Sequence, residues 1–241
     1  MDAYWLEQTE ADMPAESRWL SAGEMSRLVD MRFCKRRADW RLGRWTAKRA
    51  VASCLNLSVD ERSLQDIEIQ ATPSGAPELL LFSQQADVTL SLSHRAGKAL
   101  CVVALSGASL GCDLELVELR DDSFVADFFT ASEQKLIERS PANERPVLTT
   151  LLWSAKESAL KALRVGLRLS TTCLEVSPTD ALLHAAKQSS QHRCNGWSPL
   201  SLRGIGGRSL HGWWRCANNI VRTVIFQPAA MTDSSLSEVQ A

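Results

Sequence analysis

Two acidic residues of the chain stand two positions apart in the segment Gly111-Cys112-Asp113-Leu114-Glu115. On a strand, Asp113 and Glu115 would project to the same side, with their Cα atoms about 6.7 Å apart. Two carboxylates on one face repel each other unless a cation lies between them, and hard oxygen ligands favour Mg²⁺ or Mn²⁺. A half-exposed strand carrying two solvated acids would give the same pattern. The spacing therefore indicates a candidate metal site and leaves the simpler alternative open.

A second segment, Trp153-Ser154-Ala155-Lys156-Glu157, is followed four residues later by Lys161. Glu157 and Lys161 share one face of a helix, with the acid on the N-terminal side. Glu157 could bind a metal while Lys161 holds a phosphate oxygen. The alternative is a surface ion pair worth about 0.2–0.5 kcal/mol.

Further cationic groups lie earlier in the chain. Ser93-His94 ends a strand-like run, so His94 could donate a hydrogen bond to a phosphate or be an ordinary loop histidine. The stretch 27–49 carries nine cations and two acids, a net +7, which leaves −8 on the rest of the chain. Such a helix could bind a multiply charged phosphate, contact a nucleic acid, or simply be solvated. Its cations on one predicted helix face are Arg37, Arg41, Arg44 and Lys48.

The composition is typical of a soluble globular protein. Of 241 residues, 45% are hydrophobic and 23% charged, and the formal net charge is −1. This balance makes a generally basic nucleic-acid binder a poor interpretation, and no apolar run reaches the ~18 residues of a membrane span. The seven cysteines contain no Cys-x-x-Cys pair, so we expect free thiols in a reducing compartment, the cytoplasm.

Helical periodicity and strand alternation occur twice in the same order, helices first and strands second. This order predicts an α+β protein with two lobes of similar size, each with helices packed on a small, mainly antiparallel sheet. The expected division is an N-terminal lobe over 1–107, a C-terminal lobe over 108–230 and a flexible tail over 231–241. Helices are predicted over 17–57, from the capping box at Thr130 and over 147–163. Strands are predicted over 88–93, 99–105, 110–116, 172–176, 210–216 and 220–226, and the segments 96–98 and 106–108 fit hairpin turns.

Together, the motifs resemble the 4′-phosphopantetheinyl transferases of the larger, monomeric kind that act on peptide synthetase and polyketide synthase carriers. That family has a Gly-x-Asp-x-Glu strand followed about forty residues later by Trp-Ser-x-Lys-Glu-x-x-x-x-Lys. The two segments above match both motifs in that order. Ser93-His94, the arginine-rich helix, Phe128-Phe129-Thr130-x-x-Glu133 and Gly166-Leu167 also fit the family pattern.

The resemblance implies two pseudo-symmetric lobes with the active site in the cleft between them. It implies transfer of the 4′-phosphopantetheine arm of coenzyme A to a serine of an apo-carrier protein, with release of adenosine 3′,5′-bisphosphate. The enzyme would be a cytoplasmic monomer that binds neither nucleic acid nor membrane. Expected residues are the Mg²⁺ (or Mn²⁺) ligands Asp113, Glu115 and Glu157, the catalytic Glu157, Lys161 and His94, and the coenzyme A-binding Arg37, Arg41, Arg44, Lys48, Ser93, His94 and Lys161.

Three positions depart from the family pattern. Ala76 stands where the family often has lysine, which would remove one contact with coenzyme A. Ser91 replaces a frequent asparagine, and the loop after Lys161 has the single glycine Gly166. A non-catalytic relative that binds coenzyme A or a nucleotide is therefore the alternative function. Whether Glu157 or Lys161 takes the serine proton stays open.

Overall fold

The computed structural model describes residues 2–105, 109–177, 196–227 and 235–239. These residues form two compact units, the first from the described parts of 1–108 and 229–241 and the second from those of 109–228. Each unit combines helices with antiparallel strands, so the prediction of an α+β protein is confirmed. In the described part of the chain, no helix has both the length and the apolar character needed to span a membrane.

The described helices and strands follow one another in this order: β1 (Asp2–Thr9), α1 (Ala22–Asp30), α2 (Cys34–Cys54), α3 (Glu61–Gln65), β2 (Ile67–Ala71), β3 (Pro77–Leu81), β4 (Gln84–Gln85), β5 (Val88–Arg95), β6 (Lys98–Leu105), β7 (Ser109–Leu116), α4 (Asp122–Phe128), α5 (Ala131–Arg139), α6 (Arg145–Ala162), β8 (Glu175–Val176), β9 (Ser198–Arg203), β10 (Ser209–Ala217), β11 (Ile220–Gln227) and β12 (Ser235–Glu238).

The first unit is built around helix α2. Its described strands form one sheet in the order β12-β1-β6-β5 and a second in the order β2-β3-β4. Leu42, Trp45 and Val51 bury one side of α2, and the ring of Trp45 meets that of Trp19 edge-on at 5.1 Å. The helical prediction over 17–57 misses the break between α1 and α2 at residues 31–33, where the backbone is not helical.

Strands β5 and β6 form the predicted hairpin. Ala96 and Gly97 connect them with φ angles of 52° and 71°, the left-handed values that a tight two-residue hairpin turn requires. This turn brings Ser93 and His94 opposite Leu100 and Ala99 of β6. The other turn predicted from the sequence, at 106–108, lies outside the described residues.

The flexible tail predicted over 231–241 is wrong for Ser235–Glu238. These residues form β12, which pairs in parallel with the outer side of β1. Val239 is buried, and its backbone N–H donates to the carbonyl of Trp5. The polar composition predicts exposure of this segment. It does not predict that an unpaired strand edge of the first unit is there to bind it.

The second unit places helix α6 on a five-stranded antiparallel sheet in the order β7-β11-β10-β9-β8. The apolar side chains of α6, including Leu148, Leu152 and Ala159, pack in the core that the sheet contributes to. Helix α5 begins at Thr130 with the predicted capping box. The strand predicted over 172–176 contains only Glu175–Val176, because a 3₁₀ turn precedes it.

Candidate active site

Gly111 allows helix α6 to lie directly on strand β7. A Cβ atom at this position would stand 2.0 Å from the carbonyl oxygen of Ser158 and 2.5 Å from the backbone nitrogen of Ala162. Only a residue without a side chain permits this approach. The glycine of the first motif is therefore what brings the strand with the two acids against the helix of the second motif.

Asp113 and Lys161 meet across this contact. The Nζ atom of Lys161 donates to Oδ1 of Asp113 at 2.8 Å and to the carbonyl of Cys112 at 3.0 Å. Asp113 is buried, while the Lys161 side chain keeps 30% of its exposure. Burial is the largest single effect on Lys161 and lowers its pKa, but Asp113, Cys112 and Glu157 together outweigh burial and the pKa is raised. The lysine therefore stays charged, so it could bind a phosphate oxygen electrostatically.

Glu115 lies one strand step further along the same face of β7. Its Oε1 atom accepts a hydrogen bond from the indole Nε1 of Trp153 at 3.2 Å. The guanidinium of Arg120 lies 3.9 Å from the other carboxylate oxygen and 4.9 Å from the centre of the Phe124 ring. The tryptophan of the second motif thus orients an acid of the first.

Glu157 is half-buried on α6. Burial raises its pKa, and the charges of Asp113 and Glu115 raise it further, while Lys161 acts in the opposite direction. All four groups therefore share one electrostatic environment. A carboxyl whose pKa is raised in this way is a suitable general base.

Three buried hydroxyl groups fix α6 to strand β11. The Oγ1 atom of Thr223 lies 2.9 Å from Oγ of Ser154 and 2.6 Å from Oγ of Ser158. Thr223 pairs in register with Asp113 on the neighbouring strand. The sequence analysis did not identify this cluster. Its signal is the pair of small hydroxyl residues four apart on an otherwise apolar helix face.

The donor chemistry of the predicted metal ligands fits a hard divalent cation. Asp113, Glu115 and Glu157 supply carboxylate oxygens only, which Mg²⁺ and Mn²⁺ prefer. Among the described residues, however, no three His, Cys, Asp or Glu side chains are placed so that they could hold one ion. The ammonium of Lys161 contacts Asp113 at 2.8 Å.

The predicted coenzyme-binding cations of the first unit differ greatly in exposure. Arg37 is exposed near the start of α2. The Nη2 atom of Arg41 donates to the carbonyls of Pro14 and Ala15 at 3.0 and 2.8 Å. Arg44 is mostly buried, with its Nε 3.8 Å from a carboxylate oxygen of Glu24.

Lys48 contradicts its predicted role in coenzyme binding. Its side chain is completely buried, and Nζ contacts Glu24 at 2.5 Å and two backbone carbonyls. A buried ammonium with three partners is closed to a phosphate. The prediction failed because the face that begins exposed at Arg37 passes into the core before it reaches Lys48.

Ser93 and His94 belong to the first unit, whereas the carboxylates and Lys161 belong to the second. Ser93 is half-buried and His94 is exposed at the end of β5. An exposed imidazole at a strand end could meet a ligand phosphate.

Comparisons with known proteins identify the family of this chain. Residues 109–203 match the family model described as the 4′-phosphopantetheinyl transferase superfamily. Over 86 residues the chain is 33% identical to a holo-[acyl-carrier-protein] synthase of Streptococcus sanguinis (strain SK36), an alignment that covers 36% of this chain and 71% of that protein. The chain therefore belongs to the 4′-phosphopantetheinyl transferase superfamily. The family and the class of enzyme predicted from the sequence are confirmed.

Solved structures are similar to the chain as well. One is the Helicobacter pylori holo-[acyl-carrier-protein] synthase in complex with coenzyme A, at 24% identity and a TM-score of 0.34, covering 43% of this chain and 99% of that one. The other is a holo-(acyl-carrier-protein) synthase from Bacillus anthracis in complex with CoA (3′,5′-ADP), at 22% identity and a TM-score of 0.37, covering 44% and 96%. TM-scores this low do not establish a shared fold.

Proposed function

We propose that the protein transfers the 4′-phosphopantetheine arm of coenzyme A to a serine hydroxyl of an apo-carrier protein. The observation that carries the proposal is the contact of Lys161 with Asp113, across the strand and helix that hold both family motifs. The relative named as a holo-[acyl-carrier-protein] synthase supports the carrier as acceptor, and the match to the 4′-phosphopantetheinyl transferase superfamily supports coenzyme A as donor.

In the proposed reaction the serine oxygen attacks the β-phosphorus of coenzyme A. The bond from that phosphorus to the bridging oxygen breaks, and adenosine 3′,5′-bisphosphate leaves. The Lys161 ammonium stabilises negative charge on the phosphate oxygens. Glu157 takes the serine proton in our proposal, supported by its raised pKa; Lys161, the other candidate, is held charged by Asp113, which makes it the poorer base.

A bound Mg²⁺ or Mn²⁺ would neutralise charge on the pyrophosphate. We propose Asp113, Glu115 and Glu157 as its ligands, supported by their oxygen-only chemistry and their mutual electrostatic influence. Metal binding would require these three carboxylates to move closer together and the Lys161 ammonium to change partner.

The 3′-phosphate of coenzyme A requires further cations. We propose Arg37 as the strongest candidate, since Arg41 and Arg44 already have partners within the first unit. Ser93 and His94 stay proposals for phosphate contacts, supported by the match to the family motif. The family resemblance also leads us to propose a monomer of the larger kind, with two pseudo-symmetric halves. A cytoplasmic location is supported by the free thiols of the six described cysteines.

The test is incubation of the protein with coenzyme A, Mg²⁺ and a panel of apo-carriers, followed by intact-mass measurement. We expect one carrier at least to gain the mass of the arm. The Asp113→Ala variant should lose at least about a hundredfold in rate while still melting cooperatively. Asp127→Ala, which removes an exposed acid of the same unit, should retain the wild-type rate within about twofold.

Wild-type rates in the Asp113→Ala variant would refute the assigned role of this residue. A folded wild-type protein that binds coenzyme A but modifies no carrier would instead favour the non-catalytic relative. Ala76, in place of the frequent family lysine, is the observation in favour of that alternative.

A further inference from the structure

Lys156, the lysine inside the second motif, is completely buried and faces away from solvent. Its Nζ atom contacts the Glu133 carboxylate at 2.6 Å and donates to the carbonyls of Phe128 and Thr171, each at 3.1 Å. The other oxygen of Glu133 accepts from the backbone N–H of Val176 at 2.9 Å. This group, called the clasp below, joins α6 to the start of α5, to the 3₁₀ turn and to β8.

The first unit contains the same group of contacts. Lys48 on α2 contacts Glu24 at 2.5 Å and donates to the carbonyls of Trp19 and Leu64 at 3.1 and 2.8 Å. Glu24 accepts from the backbone N–H of Ile69 at 3.1 Å. Burial lowers the pKa of both buried lysines, and the glutamate beside each acts against that effect.

The two clasps agree in their spacing along the chain. In each, the glutamate is the N3 residue of a capping box, whose N-cap is Ser21 in α1 and Thr130 in α5. In each clasp, one carbonyl that accepts from the lysine belongs to the residue two positions before the N-cap. The other belongs to the residue five positions before the one whose backbone N–H donates to the glutamate. A tryptophan stands three residues before each lysine. Such agreement indicates one architectural device present in both units.

The acids of the site are absent from the equivalent places of the first unit. The residue after the buried lysine is Glu157 in the second unit and Arg49 in the first. Thr223, the fourth residue of β11, pairs with Asp113, whereas Cys101, the fourth residue of β6, pairs with Leu6. The clasp therefore exists with and without the acids, so its own task is to hold a long helix in place.

We propose that Lys156 and Glu133 are positioning residues, whose clasp fixes α6 along its axis and so holds Glu157 and Lys161 beside Asp113. Glu157 is the next residue after Lys156, and Lys161 is little more than one helical turn further. A shift of α6 on β7 would thus move both functional groups. The catalytic consequence of this proposal rests on the proposed function, whereas the structural consequence does not.

The test replaces both members of the pair in the Lys156→Met, Glu133→Gln double variant. Removing both charges avoids leaving one charge buried without its partner. We expect a cooperative melt, amide hydrogen exchange over residues 157–163 at least about tenfold faster, and a kcat for arm transfer at least about tenfold lower. The KM for coenzyme A should change by less than about twofold. If the double variant does not melt cooperatively, Glu133→Asp, which keeps both charges and shortens the reach, is measured in its place.

Two controls separate positioning from general loss of stability. Leu210→Ala removes buried apolar contacts in the same unit and should lower the melting temperature without changing kcat by more than about twofold. Lys48→Met with Glu24→Gln should accelerate amide hydrogen exchange in α2 and leave exchange over residues 157–163 unchanged.

The proposal is overturned if exchange over 157–163 rises as much in these controls as in the clasp variant. It is also overturned if the wild type is active and the clasp variant has the same kcat for arm transfer as the wild type. A wild type that transfers no arm refutes the proposed function, and the exchange comparison still decides the positioning role.

Discussion

At the scale of single residues, each motif position has a separable physical task. Gly111 has no side chain, so helix α6 and strand β7 can lie in direct contact. Asp113 and Lys161 pair across this contact. Trp153 orients Glu115 through its indole N–H. Lys156 is turned into the core instead. The second motif thus combines groups for chemistry with groups that hold the helix, and sequence spacing alone does not distinguish them.

Gly111→Ala should destabilise the second unit. The new Cβ would overlap the Ser158 carbonyl, so α6 must move off β7, at a cost of about 1–3 kcal/mol or more. Urea unfolding at equilibrium measures the change. Gly43→Ala is the matched control, because nothing lies within 4 Å of its Cβ position in the middle of α2. That change should stabilise the protein by up to about 1 kcal/mol. Equal stability of Gly111→Ala and wild type would show that α6 does not need this close approach.

The carboxylates and Lys161 could be predicted because the periods of strand and helix decide which side chains share a face. The burial of Lys48 could not be predicted, because helical periodicity shows which residues share a face of α2 but not where along the helix that face becomes buried. The capping box at Thr130 predicts the start of α5, and Ser21-Ala22-Gly23-Glu24, which has the same form, marks the start of α1. The break between α1 and α2 could not be predicted either, because residues 31–33 contain no proline or glycine.

At the scale of elements, short capped helices connect the long helices to the strands. Helix α3 has only five residues, too few to be stable alone. Asp60 caps it by accepting bonds from the backbone N–H and the hydroxyl of Ser63, and it also accepts from the hydroxyl of Ser58. The hydrogen bond from Ser58, followed by those from Ser63, holds the pKa of Asp60 well below its usual 3.8.

The cap at Asp60 should make stability depend on pH in the acid range. Because the folded pKa lies below the unfolded one, the carboxylate stabilises the fold fully above pH 3.8, and this contribution disappears as the pH falls through the folded pKa. Chemical unfolding of wild type and Asp60→Asn at pH 7 and pH 3 measures it. The free energy of unfolding of the wild type should exceed that of the variant by more at pH 7 than at pH 3. A difference that is the same or larger at pH 3 would contradict the assignment.

At the scale of the whole molecule, the two units share a device but differ in chemistry. Each unit anchors a long helix through a buried lysine and a capping glutamate. Among the described residues, the positions that hold Asp113 and Glu157 in the second unit hold Leu6 and Arg49 in the first. The family match begins at residue 109, where the second unit begins, and the relatives align with less than half of this chain. The second unit therefore contains the segment that matches the family model.

The strand β12 has a consequence for solubility. It occupies the side of β1 that does not pair with β6, and a strand with open N–H and C=O groups is a template for pairing with another chain. A variant ending at Gln227 should keep its helical circular dichroism yet form aggregates whose light scattering rises with protein concentration. Scattering unchanged from the full chain would mean that β1 needs no cover. We therefore expect Ser235–Glu238, which lie apart from the proposed catalytic groups in the sequence, to protect this edge of β1 from pairing with a second chain.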